Sequence, residues 1–138
     1  MPDTFQLEVA TPERLLVDEQ VTEAELPGKN GYLGILPGHA PLLSALGAGV
    51  LTYSAGDGSE VLAIDGGFVE VLGDHVRVLA EHAEYARDIQ VDAARRELEE
   101  ASAKQKSVRH TEESEALLRT IQKAQARIDA AGKLAGHA

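Results

Sequence analysis

The sequence predicts an all-β N-terminal sandwich over residues 1–84, followed by an antiparallel two-helix hairpin over residues 85–138. Three observations predict it. Short β-favouring runs recur through the first 80 residues with glycine turns between them, the pattern of a sandwich or flattened barrel. From Glu81 to Ala131 there is neither glycine nor proline, and the strong helix formers Ala, Glu, Lys, Arg and Leu dominate. The charge divides at the same place. Met1–Ala80 carries twelve acids and three bases, whereas Glu81–Ala138 carries eleven acids and ten bases. A shift this sharp suggests two units with different partners.

The strands follow from alternation and turns. In TFQLEVAT, Phe5, Leu7 and Val9 alternate with Gln6 and Glu8, so one face is buried and the other wet. Arg14–Leu26 continues with short β-favouring runs. Leu51–Tyr53 and Glu60–Ile64 flank Gly56-Asp57-Gly58-Ser59, a turn that accepts positive φ cheaply. Asp65-Gly66-Gly67 is a second turn or bulge. Gly73-Asp74-His75 is a third, between Phe68–Leu72 and Val76–Ala80. No helix long enough for a crossover lies among these strands, so a parallel sheet is not expected.

Two apolar stripes define the hairpin. Val91, Ala94, Leu98, Ala101, Gln105 and Val108 step by three and four, as do Leu117, Ile121, Ala124, Ile128 and Ala131. Thr111 is the expected N-cap of the second helix, with Glu112, Glu113 and Glu115 in its first turn. Gly132 and Gly136 are expected to mark its end. Both stripes are thin and rich in alanine. At roughly 25 cal/mol per Å² of apolar area they bury little, so the hairpin should be able to detach and repack.

Several function classes drop out. The formal net charge of −10 argues against nucleic acid as the main partner. Without cysteine there are no disulfides, thiolate metal sites or thiol nucleophiles, and a reducing compartment is the default. The opening MPDTFQLEV lacks the basic start and apolar core of a secretory signal. No run approaches the roughly 18 apolar residues of a membrane span. The histidines His39, His75, His82, His110 and His137 form neither HxH nor HExxH, so no metal is expected. His82 and His110 are expected to be solvated among helical charges, and His75 to lie in a turn.

The stretch LPGKNGYLGILPGHAPLLSALGAG, Leu26–Gly49, holds Pro27, Pro37 and Pro41, six glycines and His39. It lacks the Lys-Ser/Thr ending and following helix of a phosphate loop, and no GxSxG elbow accompanies it. Neither Asp18-Glu19 nor Glu99-Glu100 forms a carboxylate dyad, because sequence neighbours point apart. A glycine- and proline-shaped contact loop is left, in which His39 is bonded to nearby backbone.

The order LPGKNGYLGILPGHAPLLSAL, then LAIDGGFVEVLGDHVRVLAE, then a helical tail resembles the ε subunit of the bacterial F-type ATP synthase, called δ in mitochondria. The match is specific in G-x-x-G-x-x-PGHAPL and GG-x-x-E-V and loose in the tail. The resemblance implies a ten-stranded sandwich and two helices. It further implies a non-catalytic rotor part held against the γ subunit and on the polar loops of the c-ring. Its tail either folds on the sandwich or extends to the catalytic α/β subunits and blocks ATP hydrolysis. By position, the ring-facing residues fall on Asn30, Tyr32 and His39; many members carry acids where Asn30 and Tyr32 stand. Arg95, Arg96, Lys104, Lys106, Arg109, Arg119, Lys123 and Arg127 could meet acidic catalytic subunits, or simply be solvated.

Some members bind ATP through I/L-D-x-x-R-A. Ile89–Ala94 lacks that aspartate and arginine, but Val91–Arg96 keeps Asp92 and Arg95 at the right interval. The expectation is that no cofactor is required and that ATP binding is weak or absent, with Asp92 and Arg95 the residues to test. The expected location is the cytoplasmic face of the bacterial plasma membrane, as part of the synthase. Two alternatives stay open: a free-standing sandwich module with a helical oligomerisation tail, and an enzyme built on His39.

Overall fold

The computed structural model describes residues 3–109 and 111–136, so His110 and His137 lie outside the described residues. Ten strands run in chain order: β1 (Phe5–Ala10), β2 (Leu15–Val21), β3 (Glu23–Gly28), β4 (Gly31–Ile35), β5 (Leu42–Ala45), β6 (Ala48–Ala55), β7 (Gly58–Asp65), β8 (Phe68–Leu72), β9 (His75–Leu79) and β10 (His82–Tyr85). A 3-10 turn, Ala86–Asp88, leads to helices α1 (Val91–Gln105) and α2 (Thr111–Gly136). The first sheet has the order β2-β1-β9-β8-β5 and the second β10-β7-β6-β3-β4.

The alternation seen in the sequence is what places the core. Phe5, Leu7 and Val9 of β1 point inward with Val17, Val21, Leu51, Leu62, Ile64, Val69, Val71, Val76 and Val78. Each such side chain contributes about 1.5–3 kcal/mol on burial. Gly56-Asp57 and Gly73-Asp74 are two-residue hairpin turns, with Gly56 and Gly73 at φ +60° and +64°. Gly66 and Gly67, also at positive φ, carry the chain from one sheet to the other.

Four expectations are corrected. β1 pairs in parallel with β9. The connection between them runs through seven other strands in both sheets, so no crossover helix was needed. The helix-forming composition begins at Glu81, yet His82–Tyr85 pairs antiparallel with β7 as β10. An open sheet edge outweighed local propensity there, and His82 is a strand residue. His75 opens β9 rather than lying in a turn, and pairs with Leu72 and Gln6. Thr111 is already the first residue of α2, and α2 runs through Gly132, which is exposed and meets no neighbour that its missing side chain would touch.

The hairpin lies folded on the sandwich. The two predicted stripes meet, with Ala94 and Ala101 of α1 and Ala124 of α2 buried. α2 has a second inward face that the stripes did not reveal. Ala126 and Ala130 are buried, and Ala130 packs in one cluster with Val50, Val61, Ala63, Ala86 and Ile89 on β6, β7 and the 3-10 turn. α1 packs chiefly on α2, so α2 carries the tail.

Candidate docking surfaces

The stretch Leu26–Gly49 is mostly strand, not loop. β3 and β4 form a hairpin closed by Lys29-Asn30, with Gly28 paired to Gly31. Only Leu36–Pro41 is a true loop, linking β4 to β5 across the sheets. β5 then runs back toward the hairpin, where the Lys29 N–H donates to the Ala45 carbonyl at 3.0 Å. Asn30 and His39 therefore stand at opposite ends of β4, which is roughly 16 Å long at about 3.3 Å per residue.

Each of the three has a distinct setting. Asn30 is exposed at the hairpin turn. Tyr32 is 54% exposed, but its hydroxyl accepts the Val50 N–H at 3.0 Å. Gly49 makes that reach possible, because a Cβ there would stand 2.8 Å from the Tyr32 hydroxyl and 2.6 Å from Pro27 Cβ. His39 Nδ1 lies 2.7 Å from the Ala40 carbonyl, and the His39 backbone N–H donates to the Leu36 carbonyl at 3.1 Å. No acid or serine bonds to the His39 ring among the described residues, and none of them forms a group of three metal-ligating side chains.

A larger surface is the outer face of the first sheet. Strand register sets Ala45, Phe68, Leu79, Ala10 and Leu15 side by side in an apolar row across all five strands. Two residues along, Leu43, Glu70, Arg77, Glu8 and Asp18 form a second row. Leu72 heads a third, with His75, Gln6 and Gln20. Leu43, Leu72 and Phe68 are 72%, 64% and 58% exposed. Exposed apolar side chains grouped among these polar rows, with no layer over them, make the face a candidate interaction site. The sequence carried a signal for it. FVEVL is apolar on both parities, so β8 has a second face to cover.

Within this face, Glu8 bridges its neighbours: Oε1 lies 3.0 Å from His75 Nε2, and Oε2 accepts from Arg77 Nε at 3.1 Å. These bonds, His75 first and Arg77 second, hold the Glu8 carboxyl below the usual carboxylate range. Between the two sheets, Tyr53 of β6 donates to Glu19 Oε2 of β2 at 2.6 Å. Burial first, and that bond second, push the Tyr53 hydroxyl well above its ordinary value, so it stays a donor.

The tail sites lie elsewhere. Asp92 and Arg95 are one turn apart on α1, 3.9 Å between Oδ1 and Nη1, and both are largely exposed. They stand on α1, which packs chiefly on α2, whereas Tyr32 stands on β4 of the sandwich. Arg127 departs from the solvated reading. Its Nε and Nη2 donate to Glu84 of β10 at 2.9 and 3.2 Å. Among the described residues this is the side-chain hydrogen-bonded link between α2 and the sandwich.

The profile of the ATP synthase Delta/Epsilon chain beta-sandwich domain matches residues 4–86. The chain belongs to the ATP synthase delta/epsilon family. The ATP synthase epsilon chain of Solibacter usitatus (strain Ellin6076) is 60% identical over 99 residues, covering 72% of this chain and 74% of that one. The epsilon chain of Nitratidesulfovibrio vulgaris (strain DP4) is 37% identical over 132 residues, covering 96% and 98%. Chains of known structure share the architecture. A chain of the Euglena gracilis mitochondrial ATP synthase OSCP/F1/c-ring assembly superimposes with a TM-score of 0.74 at 21% identity, covering 99% of this chain and 82% of that one. A chain from the central stalk and c-ring of the Tetrahymena thermophila mitochondrial enzyme does so at 0.54 and 15% identity, over 63% and 70%. Both show the shared fold. No helix among the described residues of this family member is long and apolar enough to cross a membrane.

Proposed function

We propose that the chain is a non-catalytic rotor subunit of a proton-translocating F-type ATP synthase, coupling c-ring rotation to γ and ATP synthesis. Family membership supports this reading over a free-standing module or an enzyme built on His39. The observation that carries it is the uncovered outer face of the first sheet, with Phe68, Leu79 and Leu15 in register. That face suits a broad, permanent partner, here the γ subunit. The c-ring loops are the proposed partner of the β3–β4 edge. A contact that used Asn30, Tyr32 and His39 together would run the length of β4, with neutral and aromatic chemistry rather than a salt bridge. The complex is the proposed link of the chain to the membrane, at its cytoplasmic face.

The tail is the proposed regulator, reaching the catalytic α/β subunits when it lifts from the sandwich. A two-position element needs states within a few kcal/mol of each other, and an alanine-rich seam supplies that. The cut that separates the units belongs after Asp88. A cut after Glu84 would remove Tyr85, whose hydroxyl donates to the Leu16 carbonyl at 2.9 Å, and Arg87, which stacks on the Tyr85 ring and pairs with Glu60. Both the full chain and the chain ending at Asp88 are expected to co-purify with γ. Complexes reassembled with the shorter chain are expected to hydrolyse ATP faster. Failure of the full chain to bind γ would end the rotor reading, and unchanged hydrolysis would end the inhibitory role of the tail.

ATP is the proposed weak or absent ligand of the hairpin. Asp92 and Arg95 stand exposed on α1 and are paired only loosely to each other. Calorimetry with the full chain is expected to detect no sub-millimolar binding. Such binding, abolished in Arg95→Ala, would reverse this reading.

A further inference from the structure

We propose that Glu70 selects the partner of the first-sheet face by taking a lysine or arginine side chain of that partner. The inference rests on the reading of this face as the γ-docking surface. Glu70 lies in the middle of its most exposed apolar residues. Phe68 and Leu72 flank it on the same side of β8, and Leu43 is its cross-strand neighbour on β5. On the other side its neighbour is Arg77, but Arg77 Nε is bonded to Glu8 at 3.1 Å. Glu70 itself has no ion pair or side-chain hydrogen bond among the described residues.

A partner that covers Leu43, Phe68 and Leu72 must strip water from Glu70. A carboxylate that loses its water without gaining a partner is strongly disfavoured. The face therefore rejects a purely apolar surface and favours one that brings a cation to this point. There is room for it. A hollow of about 290 Å³ opens beside the carboxylate, bounded by Glu70, Leu72, Asp74, His75 and Arg77. Leu72 offers an apolar wall for the stem of a long basic side chain, whose head then reaches Glu70. Arg77 does not repel that head strongly, because Glu8 already neutralises it. The field of the strand domain, with twelve acids to three bases over Met1–Ala80, has the same sign preference.

The test is the affinity of the full chain for γ, measured for the wild type, Glu70→Gln, Glu70→Lys and Leu43→Asp. Glu70 and Leu43 are both exposed, so all four should fold, which a thermal melt checks. The wild type is expected to bind, with affinity that falls as salt rises. Glu70→Gln should bind about tenfold or more weakly and show less salt dependence, and Glu70→Lys should lose binding. Leu43→Asp should lose binding whichever group meets Glu70. If the wild type binds, Leu43→Asp does not, and both Glu70 variants bind like the wild type, the docking face stands and the role of Glu70 is wrong. If the wild type does not bind γ, both fail together.

Discussion

Gly67→Ala is expected to leave no stable sandwich. Gly67 sits at φ +107°, where an L side chain is strained by about 1–3 kcal/mol. A Cβ there would stand 1.9 Å from the Leu79 carbonyl oxygen and 2.8 Å from Ala80 Cα. Both obstacles are backbone of the neighbouring strand segment, so neither can rotate away. Its own carbonyl accepts the Leu46 N–H at 2.8 Å, which ties the β7–β8 crossing to the link between β5 and β6. Overpacking adds about 1–3 kcal/mol or more. The sum, about 2–6 kcal/mol or more, reaches the lower end of the roughly 5–15 kcal/mol that holds a domain together. Gly56→Ala is the matched control, since Gly56 is also at positive φ but opens into free space. Thermal unfolding followed by circular dichroism should show a small loss for Gly56→Ala and no native transition for Gly67→Ala. A near-native melt of Gly67→Ala would refute the packing argument.

Ala130→Glu is expected to free the tail and spare the sandwich. Ala130 is fully buried against Val50, Val61, Ala63 and Ile89. A glutamate there would be overpacked and its charge unpaired among apolar groups, a cost of several kcal/mol. The alanine-rich seam has little burial to set against it. Arg127→Ala should act in the same direction but less, by about 1 kcal/mol, because the Glu84 pair is partly exposed to solvent. Hydrogen exchange on the full chain reads both. Amides of α2 should exchange faster in each variant, most in Ala130→Glu, while β1 and β9 in the sandwich stay protected. Unchanged exchange in Ala130→Glu would mean that this seam does not hold the tail.

The strands, turns and hairpin were legible because their causes are local. Alternation in TFQLEVAT and glycine at positive φ leave marks over a few residues. The proposed docking face was legible only in part. FVEVL showed that β8 has two apolar sides, but no local pattern says that Phe68 stands beside Leu79 and Leu79 beside Ala10. Leu26–Gly49 misled for a related reason. Its glycines suggested a loop, whereas three of them, Gly28, Gly31 and Gly34, lie in the paired strands β3 and β4. In the tail, the 3-4 spacing marked the seam between the helices. The second face of α2 is made of alanines and Arg127, which carry no amphipathic contrast.

By itself, the sequence determined that this protein is a β-sandwich followed by a helical hairpin, and it carried the motifs of the ATP synthase delta/epsilon family. Alternation, turn glycines and a thin alanine stripe are enough for that, because each acts between residues close in the chain. Only the tertiary structure decided that β1 lies parallel to β9, that β10 extends the second sheet beyond Ala80, and that Glu70 is ringed by Leu43, Phe68 and Leu72. It also decided that Arg127 meets Glu84, 43 residues away. Those arrangements depend on which strand edges and helix faces find one another after the chain collapses. That choice is set by burial summed over the whole molecule and leaves no period in the sequence.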